Sequence, residues 1–262
     1  MAERSPPAQY QNAPRACQPA VTNQVDYWSA SPVSWPCVLC GQRAGLERVC
    51  IGCRTDLPWI THPCVRCSAP LPPGAAPGLC AACDLNLAGL AQVRAGLVYE
   101  YPVDALVVAA KFQARQEFAR ALGELLVAAL VRQSPCALPA DLIVPVPLHP
   151  ARLGSRGYNQ AVEIAQPVAA ALGLPLVTRL CHRSRNTAAQ SALPGHARRK
   201  NLSAAFRVRS SVARTRVLIV DDVVTTGHTL SSLAGSLRRA GATQVTAWCA
   251  ARVVPDQGRL KV

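Results

Sequence analysis

Aromatic side chains, acidic residues and long apolar runs are all scarce in this chain. Aromatic residues make up 5% of the 262 residues, which weakens the case for a broad base-stacking surface. No stretch reaches the roughly 18 apolar residues that a membrane-spanning helix needs. Residues 1–35 are rich in Pro, Ala, Gln and Ser and lack the apolar segment of a signal peptide. We therefore expect a cytoplasmic protein without a membrane span and with a disordered tail over residues 1–35.

The shortage of acidic residues leaves the chain strongly basic. Asp and Glu number 14 against 28 Lys and Arg, a formal net charge of +14. Between Ile164 and Val220 there is no acidic residue, and the basic ones there are Arg179, Arg183, Arg185, Arg198, Arg199, Lys200, Arg207, Arg209, Arg214 and Arg216. Such a charge favours anionic partners, namely pyrophosphate, nucleic acid or both. For any single arginine, a solvated surface position is the alternative.

Two common glycine-rich nucleotide-binding motifs are also absent, since a Walker loop has Lys before Ser or Thr and a dinucleotide-binding loop has three spaced glycines. Residues 217–229 instead have the sequence VLIVDDVVTTGHT. The apolar residues predict a strand, and the small residues after them predict a loop and a helix start. Backbone N–H groups and hydroxyls there can bind a phosphate. The carboxylates of Asp221 and Asp222 can accept hydrogen bonds from sugar hydroxyls.

A ribose 5-phosphate satisfies both halves of this run, which resembles the phosphoribosyl pyrophosphate (PRPP) signature of the type I phosphoribosyltransferases. The alternative is a buried strand that ends in an acidic turn. The predicted PRPP-binding residues are Asp221, Asp222, Val224, Thr225, Thr226, Gly227, His228 and Thr229. His228 stands where the signature usually has a small residue, which weakens the case for a standard transfer reaction. No residue stands out as a general base.

A second segment, residues 144–160, offers cations for a pyrophosphate. Prolines, among them Pro147, stiffen a turn after a predicted strand, and Arg152 and Arg156 follow before the next predicted helix. Lys111, at the end of an earlier predicted helix, is a further candidate cation. The alternatives are a rigid connection between strand and helix, and a Lys that stabilises a helix C-terminus.

Eight of the twelve cysteines form four CxxC pairs. The pairs are Cys37/Cys40, Cys50/Cys53, Cys64/Cys67 and Cys80/Cys83. Two CxxC turns complete a tetrahedral Cys₄ zinc site, and metal is favoured over disulfides in a reducing compartment. We expect two structural zinc sites, with sequential pairing of the turns or, as the spacing also allows, interleaved pairing. Cys17, Cys136, Cys181 and Cys249 are isolated and carry no predicted role.

Strands alternate with helices after the cysteine-rich region, which predicts a parallel sheet. The predicted strands cover residues 94–101, 141–146, 176–180, 205–209, 216–220 and 244–253. The predicted helices cover residues 103–111, 115–131 and 159–172, and one more follows the 217–229 run. The expected fold is α/β, of the type I phosphoribosyltransferase class, with a central, mainly parallel sheet. We divide the chain into the tail 1–35, a double zinc-ribbon module 36–92 and a phosphoribosyltransferase-like domain 93–262.

The order of these motifs resembles the ComF family, the competence-associated phosphoribosyltransferase-like proteins of bacteria. The resemblance covers about residues 36–253. It includes the CxxC turns, the DLPW linker at 56–59, the PVPL and RGYNQ stretches at 145–148 and 156–160, and RNTAAQ at 185–190 with Arg199 and Asn201. By resemblance, Asp221 and Asp222 hold ribose hydroxyls, and Thr225, Thr226, Gly227 and Thr229 hold the 5-phosphate. The pyrophosphate then contacts Arg152, Arg156, Arg185, Arg198 and Arg199, and Mg²⁺ is bound mainly by ligand oxygens.

The resemblance implies a role in uptake and processing of transforming DNA, with PRPP or a related ligand in the pocket. Three functions stay open. The chain is a PRPP-binding competence protein, a conventional phosphoribosyltransferase of nucleotide metabolism with an unknown acceptor, or a non-catalytic single-stranded DNA-binding factor with a ligand-sensing pocket. The intact signature favours a ligand pocket, whereas the excess charge and the zinc ribbons favour nucleic acid. A glutamine-dependent amidophosphoribosyltransferase is not expected, because it needs a glutaminase domain with an N-terminal nucleophilic Cys and nothing in this sequence supplies one.

Overall fold

The computed structural model describes residues 34–76, 78–80, 83, 87–113, 115–133, 140–184 and 205–254. Six helices and six strands lie within these residues. The helices are α1 (Ile51–Thr55), α2 (Val103–Phe112), α3 (Gln116–Gln133), α4 (Pro150–Arg156), α5 (Gln160–Leu172) and α6 (His228–Arg239). The strands are β1 (Gln92–Val98), β2 (Leu142–Pro145), β3 (Cys181–Arg183), β4 (Phe206–Val208), β5 (Arg216–Val224) and β6 (Gln244–Arg252).

Four strands form a parallel sheet in the order β1-β6-β5-β2. The two central strands, β5 and β6, are buried along almost their whole length. Their apolar sequences suit this position, because a parallel sheet is covered on both faces. The prediction of an α/β fold with a central parallel sheet is confirmed.

Helices cover both faces of the sheet. On one face, α2, α3 and α5 pack on residues such as Leu218 and Trp248. Helices α3 and α5 approach closely at Gly123, where any side chain would collide with the carbonyl oxygen of Ile164. On the other face, α6 packs its apolar stripe on the sheet through Leu230, Leu233 and Leu237. In the sequence, the apolar residues of α3, α5 and α6 already recur at helical spacing.

The predicted strand at residues 176–180 is wrong. Leu176 forms one parallel bridge with Ile143 at the edge of β2, and a turn at Thr178 and Arg179 then leads the chain away. The strand that does form is β3, three residues long, and it pairs antiparallel with β4 outside the main sheet. A single bridge is all that the segment gains at the edge, because Pro175 precedes it and the turn follows at once.

Strand β5 is longer than its apolar run. The sequence places Asp221 and Asp222 in a loop after the strand, whereas β5 continues through both acids to Val224. Strand β6 runs alongside in register, with Asp221 opposite Cys249 and Val224 opposite Arg252. The neighbouring strand therefore supplies hydrogen-bond partners that keep the acidic residues extended.

The segment between the two cysteine-rich parts lies along the free edge of β1. Trp59 forms an antiparallel bridge with Leu97, and the Ile60 N–H donates to the Gly96 carbonyl oxygen over 3.0 Å. Residues before this segment pack on the α2/α3 face, and residues after it pack on the α6 face. The cysteine-rich part thus wraps around one edge of the sheet.

Candidate functional site

The loop between β5 and α6 has the geometry of an anion-binding turn. Thr225 and Thr226 are exposed, and Gly227 takes the left-handed conformation (φ 75°) as the N-cap of α6. Gly227 has no side chain with which to cap the helix, and the first turn of α6 carries no acidic residue. The backbone N–H groups at this end therefore face no competing side chain of the first turn. The Thr226 hydroxyl lies 2.7 Å from Nδ1 of His228.

A leucine from the cysteine-rich part packs directly beneath this loop. A Cβ atom built on Gly227 would lie 2.6 Å from Cδ2 of Leu87. Leu87 is buried, in one apolar cluster with Leu230 and Leu233 of α6. Any larger residue at position 227 would have to displace Leu87, so the loop and the cysteine-rich part fit each other closely.

Asp222 lies at the centre of a polar network. Its Oδ2 atom is 3.0 Å from Nζ of Lys111 and accepts a hydrogen bond from Nε2 of Gln160, also at 3.0 Å. Its Oδ1 atom accepts from the Val223 N–H at 2.7 Å. Arg156 donates to the Oε1 atom of Gln160. A buried carboxylate thus has a cation and two further donors within hydrogen-bond distance.

Asp221 is buried, and its pKa is raised. Burial, followed by the charge of neighbouring Asp222, raises the pKa of Asp221 to about 7. The Asp222 N–H, which donates to Asp221 Oδ1 over 2.9 Å, and the charges of Lys111 and Arg183 act in the opposite direction. A carboxyl group in this state gains most from a ligand that brings hydroxyl donors or cations.

Next to the carboxylates lies a cavity of about 500 Å³. Its lining residues are Lys111, Phe112, Arg152, Ser155 and Arg156. Burial lowers the pKa of the Arg156 guanidinium, and the nearby charge of Asp222 opposes that effect. Pro147 is buried in the turn before α4, the helix that carries both arginines. The structure thus brings Lys111, Arg152 and Arg156 together around one space.

The sequence alone assigned no individual role to three residues that the structure places in or beside this site. Gln160 bonds to Asp222, and Arg183 lies near Asp221. Arg252, at the end of β6, donates to the carbonyl oxygens of Val224 and Thr225 and so stabilises the loop between β5 and α6. This contact depends on the pairing of β6 with β5, which the sequence around residue 252 does not reveal. The predicted pyrophosphate residues Arg185, Arg198 and Arg199 lie outside the described residues.

The eight paired cysteines gather into two clusters of four thiols. One cluster holds Cys37, Cys40, Cys50 and Cys53, and the other holds Cys64, Cys67, Cys80 and Cys83, with the ligand atoms of each within 4.8 Å of one another. The pairing of the CxxC turns is therefore sequential. Of the four isolated cysteines, Cys181 and Cys249 are buried, and Cys17 and Cys136 lie outside the described residues.

Each cluster fits a tetrahedral zinc ion. Four thiolates are a donor set that Zn²⁺ accepts, and they close its coordination shell. Backbone N–H groups point at the sulfur atoms, as in the hydrogen bond from Cys80 N to Cys64 Sγ at 3.3 Å. Although burial acts to raise the pKa of Cys64, the N–H donors of Arg66, Cys80 and Cys67 outweigh it and lower the pKa to about 6. Such donors favour the thiolate that a metal needs.

The two clusters lie on opposite faces of the sheet. Cys37 belongs to the apolar cluster that contains α2 and α3, and Arg48, close by in the chain, pairs with Glu124 of α3. Cys64 and Cys83 belong to the apolar cluster that contains Leu87 and α6. Loss of the first cluster would therefore disturb α3, and loss of the second would disturb the support of the phosphate loop.

Comparisons with known proteins match this architecture. Residues 159–259 match the family model of the phosphoribosyl transferase domain. DNA utilization protein YhgH of Salmonella typhimurium is 35% identical over 224 residues, which cover 83% of this chain and 97% of that protein. YhgH of Escherichia coli K12 is 38% identical over 60% of this chain and 70% of that protein. Competence protein F of Haemophilus influenzae is 35% identical over 59% of this chain and 69% of that protein.

Solved structures show partial similarity to this chain. The allosteric regulatory enzyme of purine biosynthesis is 22% identical with a TM-score of 0.38, over 55% of this chain and 30% of that chain. Purine phosphoribosyltransferase from Pyrococcus horikoshii is 18% identical with a TM-score of 0.27, over 60% of this chain and 76% of that chain. Within the described part of this chain, no helix is both long and apolar enough to cross a bilayer.

Proposed function

The chain belongs to the ComF family, together with DNA utilization protein YhgH and competence protein F, and from this premise we propose that it binds PRPP with Mg²⁺ and acts in the uptake and processing of DNA. The 217–229 run carries the proposal, because it sets two buried carboxylates immediately before an anion-binding turn. The names of the relatives supply the link to DNA. The cytoplasm is the proposed location, since clusters of reduced thiols need a reducing compartment.

In this proposal the loop residues and the acids hold the sugar phosphate. The N-terminus of α6, with Thr225, Thr226, Gly227 and Thr229, receives the 5-phosphate. Asp221 and Asp222 accept hydrogen bonds from the ribose hydroxyls, and Val224 and His228 contact the same ligand. The Arg252 side chain bonds to the loop carbonyl oxygens, which supports a loop whose N–H groups stay directed at the ligand.

The pyrophosphate occupies the cationic cavity. Lys111, Arg152 and Arg156 line it, and Pro147 shapes the turn from which α4 starts. Arg185, Arg198 and Arg199 of the basic segment complete the charge around this end of the ligand. When bound, Mg²⁺ adds positive charge to the departing pyrophosphate. The protein's contribution to a transfer reaction is then the placement of fixed cations where negative charge develops.

A second candidate is a single-stranded DNA-binding factor in which the pocket senses a ligand. The net charge of +14 and the DNA-related names of the relatives favour it. The two candidates are compatible, since a phosphoribosyl pocket and a basic surface can occupy one chain. A conventional phosphoribosyltransferase with an unknown nitrogenous acceptor is the remaining alternative, and turnover of PRPP with a panel of bases would favour it.

Calorimetry with PRPP and Mg²⁺ tests the proposal. Asp222→Asn keeps the shape of the side chain and removes its charge, so affinity for PRPP should fall by on the order of 3 kcal/mol, which is about 100-fold. Asp141→Asn is the matched control, because Asp141 pairs with Arg216 at the opposite end of β5. The control should bind like the parent protein. Equal affinity of Asp222→Asn and the parent would remove Asp222 from the ligand site.

A further inference from the structure

Phe112 is an exposed aromatic residue within a cationic cavity. It ends α2 with 75% of its surface exposed, whereas the chain's other two phenylalanines, Phe118 and Phe206, are 8% and 3% exposed. Single exposed apolar residues are common and need no explanation. Phe112 differs because its neighbours around the cavity are Lys111, Arg152 and Arg156. Positive charge around an open aromatic ring is an arrangement that suits a nucleotide better than an apolar partner.

A series of contacts links the end of α2 that carries the ring to Asp222. The Arg156 guanidinium lies over it, 5.7 Å from the ring centroid. Arg156 also bonds to Gln160, Gln160 bonds to Asp222, and Asp222 pairs with Lys111, the residue before Phe112. The contacts thus lead from Phe112 through Arg156, Gln160 and Asp222 to Lys111, which lies in the same last turn of α2. The last turn of α2, which carries the ring, is therefore linked to Asp222 through Lys111 and through Arg156 and Gln160.

A tyrosine anchors the same end of the helix. The hydroxyl of Tyr158 donates to the carbonyl oxygen of Ala110, and the Gln113 N–H donates to the carbonyl oxygen of Ala109 over 3.1 Å. Two carbonyl groups of the last turn, those of Ala109 and Ala110, thus have partners, and the turn is bonded to the connection between α4 and α5. An anchored helix end keeps the backbone of Phe112 in place, which reduces the ordering that stacking of a ligand requires of the protein.

We propose that the ring of Phe112 is a stacking site for an unpaired nucleobase, and that Arg152 and Arg156 contact the phosphate next to that base. An aromatic ring accepts any base, since every base has a π-face, and the adjacent arginines supply the attraction for the phosphate. The inference deepens the proposed function and rests on it, because it assigns a nucleotide to the same pocket. The base comes from single-stranded DNA or from a free nucleotide, and the two sources share this chemistry.

Phe112→Ala and Phe112→Tyr test the role of the ring, with Tyr101→Ala as the control. Tyr101 is 82% exposed and precedes the other end of α2, roughly 15 Å away along the helix axis. Fluorescence anisotropy would measure binding of an oligothymidylate and of an abasic oligonucleotide of the same length. Calorimetry would measure thymidine 5′-monophosphate and PRPP. The full-length, zinc-loaded protein is used throughout.

Phe112→Ala should bind the oligothymidylate about 5- to 150-fold more weakly, the range expected for one stacked base. Its affinity for the abasic strand should be unchanged, and Phe112→Tyr and Tyr101→Ala should match the parent protein. A loss that also affects thymidine 5′-monophosphate supports a free nucleotide as the source, and a loss confined to the oligonucleotide supports DNA.

Equal losses for thymidylate and abasic strands would overturn the stacking proposal, since the ring would then not contact a base. A change in oligomeric state of Phe112→Ala by light scattering would also overturn it and assign the ring to an interface between copies. The result with PRPP separates this inference from the proposed function. Failure of the parent protein to bind PRPP would contradict the proposed function, whereas a base-dependent effect of Phe112 would stand.

Discussion

Lys111 and Asp222 form an ion pair in which Nζ lies 3.0 Å from Oδ2, beside the cationic cavity. One residue ends α2 and the other lies in β5, so the pair joins a helix to the centre of the sheet. Gln160 donates to the same oxygen. The carboxylate is buried, and both partners bond to its Oδ2 atom.

Removal of Lys111 alone should therefore lower the stability of the protein more than removal of Lys111 together with the charge of Asp222. Lys111→Ala leaves the buried Asp222 without its cation and should destabilise the protein by about 1–3 kcal/mol. Adding Asp222→Asn to Lys111→Ala should recover part of this loss, because a neutral amide needs no counter-charge. Urea denaturation of both single variants and the double variant gives the coupling energy. Purely additive losses would show that the pair does not couple the helix to the strand.

The pH dependence of the free energy of unfolding should show the raised pKa of Asp221. Its folded pKa, raised to about 7, exceeds the ordinary value of 3.8. Its contribution is therefore complete below about pH 4 and is lost as the pH rises through about 7. Between pH 5 and 7.5 the parent protein should lose on the order of 2 kcal/mol relative to Asp221→Asn, which carries no titrating group. Parallel curves for the two proteins would contradict the raised pKa.

Substitutions in the two cysteine clusters should differ in their effect on PRPP binding. Elemental analysis of protein purified without added metal should give two equivalents of zinc, and Cys40→Ser or Cys67→Ser should give one. Cys67→Ser should weaken PRPP binding more than Cys40→Ser does, because the second cluster shares its apolar surroundings with Leu87 and α6. One zinc or less in the folded parent, or iron in its place, would contradict the two-site prediction. Equal effects of the two serine variants would contradict the coupling to the phosphate loop.

The contact between Leu87 and Gly227 should appear in a comparison of two glycines. Gly227→Ala and Gly173→Ala both place a side chain at positive φ, which costs roughly 1–2 kcal/mol. Only Gly227 has a neighbour in the way, since nothing lies within 4 Å of a Cβ at Gly173. Thermal unfolding should show the larger loss for Gly227→Ala, and Leu87→Ala in the same chain should remove that excess. Equal losses of stability for the two glycine variants would mean that the Leu87 side chain moves aside at no measurable cost.

Binding of single-stranded DNA should be electrostatic and independent of sequence. The logarithm of the affinity should fall with the logarithm of salt concentration by about 0.7 for each phosphate contact. Replacing Arg198, Arg199 and Lys200 by Ala should flatten that slope, and PRPP should compete if these residues also reach the pyrophosphate. Anisotropy across a salt series, with and without PRPP, measures both effects. No binding at low salt would favour the plain enzyme function.

The sequence predicted most of the fold because the strongest patterns are local. The apolar runs of β2, β5 and β6 and the helical spacing in α3, α5 and α6 depend on neighbouring residues alone. The wrong strand at 176–180 and the loop expected at Asp221 and Asp222 depend on what lies beside them. Leu176 finds a single partner at the sheet edge, whereas Asp221 has β6 alongside. Strand pairing of this kind cannot be seen in the segment itself.

The candidate site was predictable in part for the same reason. The phosphate loop is one continuous motif, and the cations Lys111, Arg152 and Arg156 follow recognisable turns and helix ends. Gln160 and Arg252 act through contacts with distant segments, and the exposure of Phe112 emerges only when α2 and α4 are placed together. Spacing allowed two pairings of the CxxC turns, and the folded chain brings consecutive turns together.

The segment at residues 56–60 has a consequence for solubility. Through Trp59 and Ile60 it bonds to β1, which is otherwise the open end of the sheet. An open strand edge is a template on which a second molecule can add its own strand. The cysteine clusters lie on either side of the segment, so we expect that zinc bound to them would hold the segment in place and limit self-association of the sheet. Chelation should therefore produce strand-to-strand aggregates of largely folded molecules before the parallel sheet itself unfolds.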